Sequence, residues 1–97
     1  MKLIRDKIPK IALEKGSVMI CHVTNATEYR HHLLKKLHEE VREFAESSEA
    51  EELADILEVI RAIATERGLP MRELHRLRDK KRRERGGFSG RIIWEGS

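Results

Sequence analysis

Five acidic side chains in the middle of this chain have the types and spacing to bind a divalent cation: Glu39, Glu40, Glu43, Glu52 and Asp55. Glu40 and Glu43 are three residues apart, as are Glu52 and Asp55, so on helices each pair projects from one face. Only eight residues separate Glu43 from Glu52, and a connection that short makes two helices antiparallel neighbours. Each pair then lies about one to two turns from the connection, and the four carboxylates meet across the interface. Four converging carboxylates repel one another at neutral pH. A hard cation offsets that repulsion, and Mg²⁺ in particular combines a few carboxylates with water and phosphate oxygens. Such a centre suits hydrolysis of phosphate esters or phosphoanhydrides, because the cation screens phosphate charge and orients water. Glu39 is the candidate for a general base or a supporting role beside it.

Acids on a helix are more often a solvated face, and one E-x-x-E carries little information. Two such pairs flanking one turn carry more. Glu52 and Asp55 also sit among Leu53, Ala54, Ile56 and Leu57, which leaves few purely surface positions there. Glu46, Glu49, Glu51 and Glu58 read as surface residues.

Two helices must position these acids. Asn25 with Glu28 fits a capping box, and apolar residues recur at Tyr29, Leu33, Leu37, Val41 and Phe44, so the spacing predicts a helix over Ala26–Glu46. Ser47-Ser48 breaks it, and Ser48 with Glu51 fits a second capping box. The next helix carries Leu53, Ile56, Leu57, Val59, Ile60, Ile63 and Ala64 and ends before Gly68. Its wide apolar face predicts the most buried helix. Pro70 suits the first turn of a third helix running to about Arg85, with Met71, Leu74 and Leu77 on a thinner apolar face and Gly86-Gly87 as its stop. Before these, Pro9 biases Ile8 toward extended geometry. This gives a short extended stretch, one loose turn ending at Gly16, and a short strand or extended packing segment over Val18–Val23. Phe88 and Arg91-Ile92-Ile93-Trp94 read as a tail whose apolar anchors pack back on the bundle.

Composition agrees with an all-α antiparallel helical bundle forming one domain over residues 1–97 and completed by oligomerisation. Hydrophobic residues make up 39% and aromatics number four, too few for a large β-sandwich core. The charged fraction, 38%, is well above the soluble average. Net charge is only +3, but the charges are segregated. Residues 39–58 hold nine acids and one base, Arg42, whereas residues 76–85 hold seven bases against Asp79 and Glu84. That segregation suggests pairing within or between subunits, or a metal held together with a polyanion. One cysteine, Cys21, excludes an internal disulfide framework and reads as a buried structural thiol. The absence of a signal-peptide pattern and of a long apolar run makes a cytoplasmic location the expectation.

The basic ends add anion chemistry. Arg5, Asp6 and Lys7 cluster beside Pro9. Arg grips phosphate with a planar fork and Lys acts as a mobile point charge. Lys81 and Arg85 are four apart and share a helical face, and the glycines after them either open the backbone to an anion or end the helix. No P-loop is present, since the G-K-S/T ending is missing. None of the five histidines makes H-E-x-x-H.

The pattern E39-E-x-x-E43 followed by E52-x-x-D55 resembles the all-α nucleoside triphosphate pyrophosphohydrolases of the MazG-like superfamily. Within that superfamily it more closely resembles a small branch related to phosphoribosyl-ATP pyrophosphohydrolase. The resemblance extends over K2-L-I-R-D-K-I-P9, over Y29, K36-L-H-E-E-V-R-E43 and E52-L-A-D-I-L-E-V-I60, and over K81-x-x-x-R-G-G-F88. It implies Mg²⁺-dependent cleavage (Mn²⁺ is also accepted by oxygen-rich sites) between the α- and β-phosphates of a nucleoside triphosphate. Glu40, Glu43, Glu52 and Asp55 would be the metal ligands, and Glu39 would help position water. Arg5, Lys7, Lys81 and Arg85 would serve the phosphates, in a homodimer or larger homo-oligomer. One departure concerns the substrate: the gap between Glu43 and Glu52 is shorter than in many superfamily members, which removes material that could shape a base pocket.

Two other functions fit the residues. The basic run could bind nucleic acid as a cationic helical stripe, although the few aromatics offer no interleaved stacking platform. A purely structural helical oligomer is the third reading.

Overall fold

The computed structural model describes residues 1–96. Four helices account for its regular structure: α1 (Ile8–Glu14), α2 (Ala26–Ser47), α3 (Ala50–Glu66) and α4 (Met71–Arg85). The fold is an all-α antiparallel bundle with no strand among the described residues. None of these helices is long and apolar enough to cross a membrane.

The α2–α3 hairpin is the centre of the molecule. Asn25 caps α2 as the spacing predicts, its side-chain oxygen accepting a hydrogen bond from the Glu28 N–H at 2.8 Å. The turn departs from the expectation. Ser48 does not cap α3; it takes the left-handed conformation (φ 56°) that closes α2, and its N–H donates to the Phe44 carbonyl. Glu49 occupies the cap position of α3 without a side-chain cap bond, and its N–H donates to Ser47 Oγ at 3.2 Å. A connection reduced to Ser48 and Glu49 leaves the chain no option but to reverse. At the far end of the hairpin, Arg30 on α2 donates to Glu66 on α3 at 2.7 Å, which fixes the register from that side.

Three further expectations are corrected. Residues Ile8–Glu14 form a helix, not an extended stretch and loose turn. Pro9 falls in the first turn, where its missing N–H has no intrahelical partner to lose. Val18–Val23 forms no strand and is exposed throughout, Cys21 included, because no second strand exists to pair with it. The tail does not pack back: Phe88, Ile92, Ile93 and Trp94 are each at least 80% exposed. The expected end of the third helix does hold, with Gly86 at φ 83° just past Arg85.

The helices leave much apolar surface uncovered. Leu33, Val59 and Ala64 are the only buried apolar residues described. Accessible area is 8816 Å², where a compact chain of this length exposes about 5,700 Å². The radius of gyration is 17.3 Å, against about 13 Å for a compact domain of 100 residues. Leu34 and Val41 on α2, Leu53 and Leu57 on α3, and Leu77 on α4 are each about half exposed. The α3 helix is therefore not sealed on all sides: Leu53, Ala54 and Leu57 lie away from α2, while Glu52, Ile56 and Val59 are the more covered set.

Candidate metal centre

Helical spacing and the tight turn bring the acids together as the sequence predicts. Single carboxylate oxygens of Glu40, Glu52 and Asp55 lie within 4.8 Å of one another, and those of Glu39, Glu40 and Glu43 form a second such group. Glu40 belongs to both, so it is the hub that joins the α2 acids to the α3 acids. Its burial is unusual for a carboxylate, at 6% exposed. Glu40 Oε2 and Glu52 Oε2 are both shielded from solvent without a hydrogen-bond partner. An orphaned, buried carboxylate oxygen is costly, and the all-oxygen donor set around it fits a hard cation such as Mg²⁺ or Mn²⁺.

Proton affinity records the same crowding. The Glu52 carboxyl is pushed up to about 7, first by desolvation and then by the charge of Glu43 and hydrogen bonding with it, with Asp55 and Glu40 adding to the effect. Glu40 is also raised, again chiefly by desolvation and then by Glu43. Glu39 moves the other way, because Lys2 donates a hydrogen bond to it at 3.0 Å. This contrast separates Glu39 from Glu40 and Glu52: Lys2 and Lys36 favour its ionised form.

A pH dependence follows. Glu52 holds its proton in the folded state up to about pH 7 but loses it near 4.5 when unfolded. Between those values the folded state binds more protons than the unfolded state, so stability falls as pH rises from about 4.5 to 7. In EDTA, thermal melts from pH 5 to pH 8 should show this decline for the natural protein and a smaller one for Glu52→Gln. A cation must displace the same proton, so Mn²⁺ affinity should rise as pH passes through 7.

The N-terminal arm supplies cations to the acids. Arg5 donates to Asp55 Oδ1 at 2.6 Å, and Lys2 pairs with Glu39. Lys36, one turn before the acids on α2, lies 3.4 Å from both Glu39 and Glu40. Lys2 and Lys36 are residues to which the sequence pattern attached no role. For Lys36 the signal was its i, i+4 spacing to Glu40. For Lys2 no local signal exists, because its partner is 37 residues away.

The other predicted site residues divide. Arg5 and Lys7 line a cleft of about 580 Å³ that also contains Glu40 and Asp55. Lys81 and Arg85 do not join them. From His75 to the end of the described chain every residue is exposed. The ion pairs there are local, Arg76 with Glu73 and Arg78 with Asp79. Lys80, Lys81, Arg82, Arg83 and Arg85 make none among the described residues. The expected pairing of the basic run with the acidic centre is thus absent within one chain.

No family model, curated protein or solved structure matches this chain. The site's own geometry and chemistry therefore carry the functional reading.

Proposed function

We propose that the protein is a Mg²⁺-dependent nucleoside triphosphate pyrophosphohydrolase, resembling the MazG-like superfamily. It would cleave between the α- and β-phosphates to give the nucleoside monophosphate and pyrophosphate. The observation that supports this most is the orphaned, buried carboxylate oxygen of Glu40 at the junction of two three-carboxylate groups. A solvated acidic face has no reason to bury its central member.

On this reading Glu40, Glu43, Glu52 and Asp55 hold the cation, which supplies charge neutralisation on the phosphates. Glu39, kept ionised by Lys2, accepts a hydrogen bond from the water that attacks the α-phosphorus and takes up its proton. Lys36 orients Glu39 and Glu40. Arg5 and Lys7 stand at the same cleft and grip the triphosphate. Lys81 and Arg85 reach phosphates only in an assembled homo-oligomer, where the basic end of α4 meets a neighbouring subunit's acidic centre.

Arg5 has opposite effects on the two partners. Its guanidinium occupies an oxygen of Asp55 that the cation needs. In the absence of nucleotide, Arg5→Ala should bind Mn²⁺ several-fold more tightly by calorimetric titration. Its kcat/KM for nucleotide should fall about 10-fold or more, from loss of a charge-assisted phosphate contact.

The deciding test of the reaction is release of pyrophosphate from a panel of ordinary and modified nucleoside triphosphates, in Mg²⁺ and in EDTA. Metal-dependent pyrophosphate with monophosphate as co-product establishes it. Silence across the panel removes it.

The exposed basic run on α4, whose Lys80, Lys81, Arg82, Arg83 and Arg85 make no ion pair among the described residues, favours a second reading, nucleic-acid binding. Its mark would be salt-sensitive association with DNA or RNA that disappears when Arg82, Arg83 and Arg85 are neutralised. Unchanged binding in that triple variant rules it out.

A further inference from the structure

The cleft beside the carboxylates is larger and more apolar than phosphate binding requires. Its volume, about 580 Å³, falls within the range of small-molecule sites. Leu3, Ile4, Ile8 and Ile11 from the N-terminal arm and α1 form one wall, and Leu33, Val59 and Ala62 from the α2–α3 hairpin form the other. Tyr29 lies along α2 from Glu40, three turns nearer its N-terminus, so the cleft runs lengthwise from an aromatic side chain to the metal-binding acids. Glu58, Arg61 and Thr65, on successive turns of α3, add polar groups to it.

The same walls answer a question raised by the short α2–α3 turn. Eight residues between Glu43 and Glu52 leave nothing there to build a pocket for a base. The material comes from the opposite end of the chain. Lys2 on Glu39 and Arg5 on Asp55 tie the arm to the hairpin, and α1, which does not pack directly against α2 or α3, stands across the cleft with Ile8 and Ile11 on its lining. Both ion pairs are made to members of the acidic cluster, so before a cation binds they set the arm and its apolar side chains beside it.

We propose that this cleft, walled by the N-terminal arm and α1, is the nucleoside subsite, with the base between α1 and α3 on the Tyr29 side and the α-phosphate at Glu40 and Asp55. The assignment rests on the nucleotide reading above. A nucleoside triphosphate has a flat aromatic base whose faces stack on apolar surface, polar groups at the base edge and sugar, and a strongly anionic end. The cleft offers apolar walls, the polar side chains of Glu58, Arg61 and Thr65, and Arg5, Lys7 and the acids at one end. Tyr29 offers a ring for stacking. Glu58, Arg61 and Thr65 are the groups able to read the base or sugar, because discrimination by hydrogen bonding needs polar side chains within an apolar site.

The test uses the full-length protein and two variants that leave every proposed metal ligand intact, Ala62→Trp to fill the cleft and Tyr29→Ala to remove the ring. Calorimetry in Mg²⁺ measures affinity for the α,β-methylene analogues of the common ribo- and deoxyribonucleoside triphosphates, and for inorganic tripolyphosphate. Mn²⁺ affinity is followed separately by electron paramagnetic resonance, and association state by sedimentation. At least one analogue should bind the natural protein tenfold or more tightly than tripolyphosphate does. Ala62→Trp should reduce that analogue to the tripolyphosphate level and Tyr29→Ala should weaken it several-fold, with tripolyphosphate and Mn²⁺ affinities unchanged. Analogues that bind no better than tripolyphosphate, or that bind Ala62→Trp as well as the natural protein, overturn the assignment. So does a change in association state in place of a change in nucleotide affinity, which would mean that a second copy occupies the cleft. Cleft-dependent analogue binding without pyrophosphate release from any triphosphate keeps the subsite and removes the reaction.

Discussion

If the proposed reaction is correct, Glu43→Gln and Asp55→Asn should each lower metal-dependent pyrophosphate release more than about 100-fold, since loss of groups that merely support metal ligands already costs 10- to 100-fold. Both variants should stay folded. Each removes one charge from a cluster whose members push one another's proton affinity upward. Against that relief, Asp55→Asn gives up the charge in its pair with Arg5, but that pair is substantially exposed on both sides and such pairs contribute about 0–1 kcal/mol. Thermal melts separate the two effects. At a hundred times its dissociation constant, a bound cation stabilises the folded state by about 2.7 kcal/mol, which raises the midpoint of a domain this small by about 10 °C or more. The natural protein should show that rise with Mg²⁺ or Mn²⁺ and neither variant should. Full activity in both variants would place the chemistry elsewhere.

The second large effect concerns the uncovered apolar faces. The chain exposes roughly 3,000 Å² more than a compact chain of its length, more than the roughly 1,000–2,500 Å² that each subunit of an obligate homodimer buries. Sedimentation at micromolar concentration should therefore show a dimer or larger species, with a melting temperature that rises with protein concentration. The double variant Leu53→Glu with Leu57→Glu tests the α3 face. Each leucine is about half exposed in one chain. Covering the remaining halves contributes on the order of 1 kcal/mol apiece, and a carboxylate left unpaired in the contact costs several more. The variant should sediment as a monomer and melt about 10 °C or more lower. A natural protein that is monomeric at ten-micromolar concentrations, with a concentration-independent melt, would show that these faces are not subunit contacts.

The sequence by itself determined the helical hairpin and the convergence of its acids. The reason is that both depend on local periodicity. Side chains three or four apart on a helix share a face, and a turn too short to do anything but reverse brings two such faces together. Local signals near a boundary were less decisive. Ser48 could cap the following helix or close the preceding one, and the left-handed closure prevailed because it satisfies the Phe44 carbonyl. Pro9 reads as a sign of extended chain or of a helix start, and the Lys7 carbonyl accepting from the Ile11 N–H shows which was taken.

Tertiary structure alone decided how much of each apolar face is covered, and what stands over the acids. Periodicity marks Leu53 and Leu57 as apolar but does not say that α2 covers the other side of α3. Cys21 reads as a buried structural thiol and Trp94 as a tail anchor on the bundle, and both are exposed because the segments carrying them have nothing to pack against. The pairing of Lys2 with Glu39 and of Arg5 with Asp55 spans 37 and 50 residues, a separation at which no spacing rule operates. Contacts of that range arise only once the hairpin exists to receive the arm, and they turn a cluster of acids into a site with walls.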